Sequence, residues 1–334
     1  MDKVELIHGA GGSATDKLIK EVFLTALGNE YLNDLEDAAL ILWPQGELAF
    51  STDSFTVQPL FFPGGDIGRL AAAGTVNDLL MRGAKPLYLS AAFIIEEGFP
   101  VKKLTTVVRS LAVTCRQAGV RVVTGDTKVV PRGSEDGLSL FITTSGLGLP
   151  APNVNISIKN ARAGDKIIVS GSMGDHELAV LAEREGFSFS TPLASDVAPL
   201  VDLVTELFSY KDAVRVLRDP TRGGVAEVLH NIAGANKLGI EIWEGALPIR
   251  SQVLVACELF GFDPLHLANE GKLVAVVDPA AAEDIVATMR KRPYGQDAAL
   301  VGEVNDSGLV TIRTRFNTMR MLHRPLGGVV PRIC

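Results

Sequence analysis

Apolar residues along this chain fall into two rhythms. Short apolar blocks bounded by Gly, Pro or Asp predict strands over residues 4–7, 38–43, 48–52, 87–95, 121–124 and 138–146. Between them, apolar positions recur at helical spacing over residues 15–27, 66–81 and 101–118. Ser13 is placed to cap the first of these helices, Pro63-Gly64-Gly65-Asp66 to open the second, and Gly83 to stop it. The second half repeats the mixture. Strands are predicted over 166–170, 240–243, 273–277, 300–304 and 309–315, with helices from 175 and over 200–208, 221–233, 248–260 and 280–290. Neither half alternates strand and helix strictly, which predicts an α/β chain with mixed (α+β) sheets rather than one parallel barrel. Leu149-Pro150-Ala151-Pro152-Asn153 is the predicted linker between two domains. After His323 the chain reads Arg324-Pro325-Leu326-Gly327-Gly328-Val329-Val330-Pro331-Arg332-Ile333-Cys334. Two prolines and a glycine pair exclude a helix and disfavour a central strand there, so a flexible C-terminal tail is expected. At about 3.3 Å per residue it reaches up to about 35 Å.

Composition narrows the function classes. A chain of 334 residues fits two domains and needs no disulfide or metal staple. The net charge of −7 disfavours electrostatic binding to a phosphate backbone, so no nucleic-acid partner is expected. A nucleotide carrying its own Mg²⁺ is compatible with an acidic protein, because carboxylates hold the metal. No apolar run reaches the ~18 residues that span a bilayer, and Met1-Asp2-Lys3-Val4-Glu5 is no signal peptide, so no membrane association is expected. Three cysteines, an odd and sparse count, point to a reduced, cytoplasmic protein.

Cys115 and Cys257 sit at helical spacing among apolar residues and read as core. Cys334 does not. It is the last residue, and its own carboxylate tends to raise the thiol pKa, so nucleophilic use needs a partner site to deprotonate it. Gly9-Ala10-Gly11-Gly12-Ser13-Ala14 fits G-x-G-x-x-A formally, but residues 38–43 end in Pro44 with no ribose-binding acid. The same glycines suit a flap whose backbone N–H groups approach phosphates. Asp37, Asp53, Asp78, Asp126 and Asp219 border strands, a helix end or Gly-rich turns, where each alone can be a cap. Together they suit a metal held by carboxylates, phosphate oxygens and water. Glu270 and Lys128 are candidate acid–base residues, and His8 and His176 each border a glycine turn.

The pieces converge on one family. His8-Gly9-Ala10-Gly11-Gly12, Ser51-Thr52-Asp53-Ser54-Phe55, Phe61-Phe62-Pro63-Gly64-Gly65-Asp66-Ile67-Gly68 and Gly74-Thr75-Val76-Asn77-Asp78-Leu79 belong to the pattern. So do Gly125-Asp126-Thr127-Lys128-Val129-Val130, Asp219-Pro220-Thr221-Arg222-Gly223-Gly224, Ala268-Asn269-Glu270-Gly271-Lys272 and the terminal Pro331-Arg332-Ile333-Cys334. With these motifs the chain resembles the HypE family of hydrogenase maturation factors, within the PurM-like (aminoimidazole ribonucleotide synthetase-like) ATP-binding superfamily. Departures are Glu177, where the family pattern has Gly, Arg82 in place of an apolar residue, and Val330 where Leu is commoner.

The resemblance implies a two-domain PurM-like fold. A Gly-rich segment and helix (residues 1–36) precede an ATP-binding and dimerisation domain (37–150), a second domain (151–317) and a tail (318–334). It implies a homodimer with ATP and Mg²⁺ near the dimer interface, the carbamoyltransferase HypF as donor, and the HypC–HypD complex as acceptor of cyanide for the [NiFe] centre. Cys334 carries a carbamoyl group that ATP-dependent dehydration turns into an S-cyanide. By superfamily analogy Asp37, Asp53, Asp78 and Asp219 hold the metal. His8, Gly9, Gly11, Gly12, Asn77, Thr127 and Lys128 face the nucleotide. Glu270 serves as base, with Lys128 and Asp126 polarising the group or relaying protons. Two other readings stay open on the residues alone: a thiol carrier without catalysis, resting on Cys334, and a dinucleotide oxidoreductase, resting on the Gly9–Ala14 match.

Overall fold

The computed structural model describes residues 2–5, 17–29, 33, 46–133, 139–187 and 193–324. The first domain is built on a four-stranded sheet: β1 (Ala49–Phe55), β4 (Ala84–Glu96), β5 (Arg121–Val130) and β6 (Leu140–Pro150), in the order β1-β6-β4-β5. Only β4 and β5 run parallel. A two-stranded ribbon, β2 (Phe61–Phe62) with β3 (Gly65–Asp66), leads into helix α1 (Ile67–Met81). Helix α2 (Val101–Gln117) packs beside it. Asp66 caps α1 by accepting the amide N–H of Gly68 and Arg69, which satisfies two of the donors a helix start leaves free.

Among the described residues the second domain has seven strands. In chain order they are β7 (Lys166–Val169), β8 (Val214–Arg218), β9 (Gly239–Trp243), β10 (Val274–Val277), β11 (Ala299–Asn305), β12 (Val310–Arg313) and β13 (Met319–Met321). Their spatial order is β13-β12-β9-β11-β7-β10-β8, antiparallel except for β12 beside β9. Helices α3 (Asp175–Glu185), α4 (Val201–Leu207), α5 (Gly224–Asn236), α6 (Ser251–Phe260) and α7 (Ala282–Arg290) complete it.

Helix α1 joins the two domains. Thirteen of its residues are buried, on every side of the helix. It lies under β1, β6 and β4 and packs against α4 and β8 of the second domain. One hydrophobic core therefore runs from Leu70, Ala73 and Val76 into Leu203, Leu217 and Ala275. A helix enclosed this way is not amphipathic, which is why apolar residues fall on every side of it.

Several expectations needed correction. The strand expected over 121–124 continues to Val130, so Asp126, Thr127 and Lys128 sit within β5 and not after it. The expected linker begins too early: Leu149 and Pro150 still pair with Lys85 and Ala84 in the ladder. Pro150 is tolerated because the pairing of β6 with β1 reaches only Gly148, which leaves Pro150 paired on the β4 side alone. Strands β8 and β13 were missed. The strand expected over 38–43 and the tail beyond Arg324 lie outside the described residues. Cys115 and Cys257 are buried in the core as expected, and burial pushes both thiols up to about 12.

Candidate active site

Four carboxylates from four separate pieces of chain meet between the domains. Strand β1 alternates, with Phe55 buried, so Asp53 and Ser51 share the face turned toward α1. Asp78, in the last turn of α1, accepts a 2.7 Å hydrogen bond from the Ser51 hydroxyl. Asp219 follows β8, and Glu270 precedes β10. These strands are antiparallel neighbours with Arg218 opposite Val274, so both acids emerge at one end of the second sheet. Asn269 locks the two turns together, its backbone and side-chain N–H groups both donating to the Pro220 carbonyl. Gly224 opens α5 in the left-handed region at φ +62°, and a Cβ there would lie 2.5 Å from the Leu265 and Leu267 carbonyl oxygens.

Asp53, Asp78, Asp219 and Glu270 line a cleft of about 240 Å³ with Arg218 and Arg222. A larger cleft of about 670 Å³, bounded by Phe50, Met81 and Ile156, shares Asp78, Arg218 and Asp219 with it. Both clefts therefore reach Asp78 and Asp219. The crowding is electrostatically costly. Burial, reinforced by the charge of Asp78, pushes Asp219 up to about 6. Burial first, then the charges of Asp219, Asp196, Asp53 and Asp78, raises Glu270 well above the carboxylate range. Asp78 is raised by burial despite its Ser51 hydrogen bond and the nearby Arg218 and Arg222.

Among the described residues, no three acidic, His or Cys side chains converge closely enough to hold a metal ion unaided. The donor set still fits Mg²⁺, which is commonly held by one or two carboxylates with substrate phosphates and water completing the shell. Crowded carboxylates with raised pKa values are the groups a divalent cation would relieve.

Other expected site residues lie elsewhere. Asn77 is buried with both ends of its amide engaged, donating to the Ala198 carbonyl and accepting the Leu200 N–H. It bolts the domains together. Asp53, Thr144, Ala91 and Gly125 form one row across the first sheet, so Asp126, Thr127 and Lys128 stand at its opposite edge. Three strand spacings put them roughly 14 Å from Asp53. Asp126 and Lys128 are also exposed on the other face of the sheet. A single chain does not bring them to the four carboxylates. His8, Gly9, Gly11, Gly12, Asp37 and Cys334 lie outside the described residues.

His176 is fully buried, edge-on to the Phe62 ring, with Nδ1 2.8 Å from the Ser195 hydroxyl and Nε2 without a partner among the described residues. Glu177, the departure from the family pattern, is explained: its carboxylate accepts the Ala268 N–H at 2.6 Å and braces the turn that carries Glu270. Arg82 donates to the Ile156 carbonyl at 2.6 Å and fastens the interdomain connection. Arg218 and Arg222 were missed as site residues, though both flank or fall within the Asp219–Gly224 motif.

A two-domain α/β fold with carboxylates gathered at the domain junction defines the AIR synthase-related class. The N-terminal domain model of AIR synthase-related proteins matches residues 35–149, and the C-terminal domain model matches residues 162–315. Within that class the chain belongs to the HypE family. It is 48% identical to the carbamoyl dehydratase HypE of Cupriavidus necator, over 99% of this chain and 95% of the relative. It is 45% identical to that of Escherichia coli over the full length of both. A crystal structure of the hydrogenase maturation protein HypE in complex with ATP superposes with a TM-score of 0.94 at 45% identity, covering 99% of this chain and all of that one. A HypE–HypF complex matches at 0.82 and 55% identity, over 92% of this chain and 99% of that one. Among the described residues, no helix is long and apolar enough to cross a membrane.

Proposed function

We propose that this protein is an ATP-dependent carbamoyl dehydratase acting on its own C-terminal Cys334, and that it supplies the cyanide ligand during [NiFe]-hydrogenase maturation. The observation that carries the proposal is the Asp53–Asp78–Asp219–Glu270 cluster, reachable through two clefts that share Asp78 and Asp219. Family membership and the ATP complex of a relative support it.

The chemistry suits these residues. Oxide is a poor leaving group from a thiocarbamate, so the carbonyl oxygen of the Cys334 S-carboxamide attacks the γ-phosphoryl group of ATP and ADP departs. Loss of the amide protons then forms the C≡N bond as the C–O bond breaks, and the original oxygen leaves in inorganic phosphate. Asp53, Asp78 and Asp219 would hold Mg²⁺, which supplies charge neutralisation on the phosphates. Arg218 and Arg222 add positive charge at the same wall. Mg²⁺ would offset the neighbouring carboxylate charges that raise Glu270, and ionised Glu270, a stronger base than an exposed carboxylate, accepts an amide proton. Base assistance of this kind is typically worth ~10²–10⁴ in rate.

A homodimer completes this site. Among the described residues, Asp126, Thr127 and Lys128 belong to an edge strand, and β1 with Asp53 is the other edge. The sheet face turned away from the helices exposes Phe50 (67%) and Ile94 (42%). A second copy covering that face brings its β5 residues toward the first copy's carboxylates. HypF, named in the complex of a relative, is the proposed carbamoyl donor, and a HypC–HypD complex the proposed acceptor.

Intact-mass measurement tests the reading. Protein carbamoylated by HypF is isolated and given fresh MgATP. Loss of one water from the adduct, dependent on ATP and absent in Cys334→Ala, is the expected result. An adduct that forms on Cys334 and persists with ATP leaves only a thiol carrier.

A further inference from the structure

Residues 193–200 carry no regular secondary structure, yet they are bonded on both sides. Toward the first domain, Ser195 N–H donates to the Pro63 carbonyl at 2.7 Å, and the Arg69 guanidinium donates to the Val197 carbonyl at 2.8 Å. Asn77 holds Ala198 and Leu200 as described above. Toward the second domain, the Asp196 carboxylate accepts the Glu270 N–H at 3.0 Å and the Gly271 N–H at 3.3 Å. It also accepts the Lys272 ammonium at 3.2 Å, while Ala198 N–H donates to the Glu270 carbonyl at 3.3 Å. The approach is close enough that a Cβ on Gly271 would lie 1.8 Å from the Asp196 carbonyl oxygen.

We infer that Asp196 is a positioning residue for Glu270, and that the 193–200 strap sets the second domain's base against the first domain's Asp78. The inference rests on the proposed catalytic role of Glu270. A side chain in a turn has no ladder to fix it, so its backbone must be held by something else. Here one buried carboxylate takes two consecutive amides of that turn, and helix α1, which carries Asp78, holds the same strap. Both halves of the site are thus referred to one short segment. Displacement of a catalytic group by about 1 Å is expected to cost on the order of 10²-fold in rate.

Full-length, carbamoyl-loaded protein is compared in single turnover with saturating MgATP, alongside ATP affinity by calorimetry. Asp196→Ala is expected to slow dehydration about 10²-fold with ATP affinity within about threefold. Asp196→Asn, which keeps an acceptor for the Glu270 N–H, is expected to recover at least fivefold of that loss. Gly271→Ala displaces the same turn without uncovering a charge, and is expected to be slowed as Asp196→Ala is, should the latter not fold. The decisive comparison is a double-mutant cycle. In a Glu270→Gln background, Asp196→Ala or Gly271→Ala should slow the residual rate less than twofold. A loss of equal factor in both backgrounds, or variants turning over within threefold of the parent, overturns the inference. If Glu270→Gln itself leaves the rate unchanged, the reading of Glu270 as base fails and the inference falls with it. If only the Asp196 and Gly271 variants are silent, the base survives and the positioning role does not.

Discussion

His176 imposes an acid limit on the stability of this protein. Its ring is fully buried against Phe62, and burial lowers its pKa from 6.5 to about 4, with the nearby Asp196 charge opposing only in part. The unfolded chain therefore binds more protons than the folded one between those values, and stability falls as pH drops through that window. For a shift from 6.5 to about 4, the loss between pH 7.5 and pH 5.0 is about 2 kcal/mol. Buried acids such as Glu177 and Asp175, raised by desolvation, act with the opposite sign over part of the same range. The raw pH dependence mixes these contributions, so the assay must be differential. Urea unfolding of the parent and of His176→Gln is followed from pH 5.0 to 7.5. The variant loses some stability at every pH through repacking, but the gap should be larger at pH 7.5 and shrink by about 2 kcal/mol at pH 5.0. Parallel curves, or an imidazole that titrates above pH 6 by NMR in the folded protein, would refute the assignment.

Three further outcomes follow from the same geometry. Lys128→Ala and Glu270→Ala should each be inactive alone. Mixed and allowed to exchange subunits, they should regain roughly a quarter of parental turnover, since half the dimers then carry one intact composite site; no recovery under proven exchange would place both residues on the same subunit's site. Asp78→Asn should raise the melting temperature of the nucleotide-free protein by a few degrees, because it removes a buried charge that Asp53 and Asp219 repel, while Mg²⁺-dependent ATP affinity falls at least tenfold; calorimetry and thermal unfolding check the two opposite signs. Arg82→Met should leave the α1 end and the Ile156 carbonyl unlinked and lower stability by about 1 kcal/mol, measured by urea unfolding.

The chain announces its elements more clearly than its site. Helix α1 was readable to within a residue or so because Asp66 caps it and Gly83 follows it, both local signals. The end of β5 was not. Gly125-Asp126-Thr127-Lys128 looks like a turn, and only pairing with Ala91–Ile94 of β4 keeps it in the ladder. Strand β8 was missed because five residues, two of them arginines, give too short a pattern, although it delivers Asp219. Asp53, Asp78, Asp219 and Glu270 were legible as candidates. Their meeting between the domains was a tertiary fact. Asn77 carries a structural role that its motif did not announce, joining two backbones across the domain junction. Asp196 had no local signal at all, because its partners are the amides of a turn more than seventy residues away.

The way the domains are joined also decides how reactants arrive. Two carboxylates come from each side of the junction, an arrangement that a hinge would open and close. The junction argues against one. Helix α1 is enclosed by both domains, and large side chains such as Leu203, Leu207 and Leu217 are buried in the core they share. Exposing three or four such side chains costs roughly 5–10 kcal/mol, before the hydrogen bonds of the 193–200 strap are broken. Domains with a large apolar interface do not rock freely. Entry then falls to the two clefts at Asp78 and Asp219, and delivery of the Cys334 group falls to the tail. Hydrogen exchange separates the possibilities. The amides of Ile67–Met81 should be among the slowest in the nucleotide-free protein, and ATP should change their protection less than about threefold. Rapid exchange along this helix that ATP suppresses would mean that the junction opens, and that the site is assembled by closure.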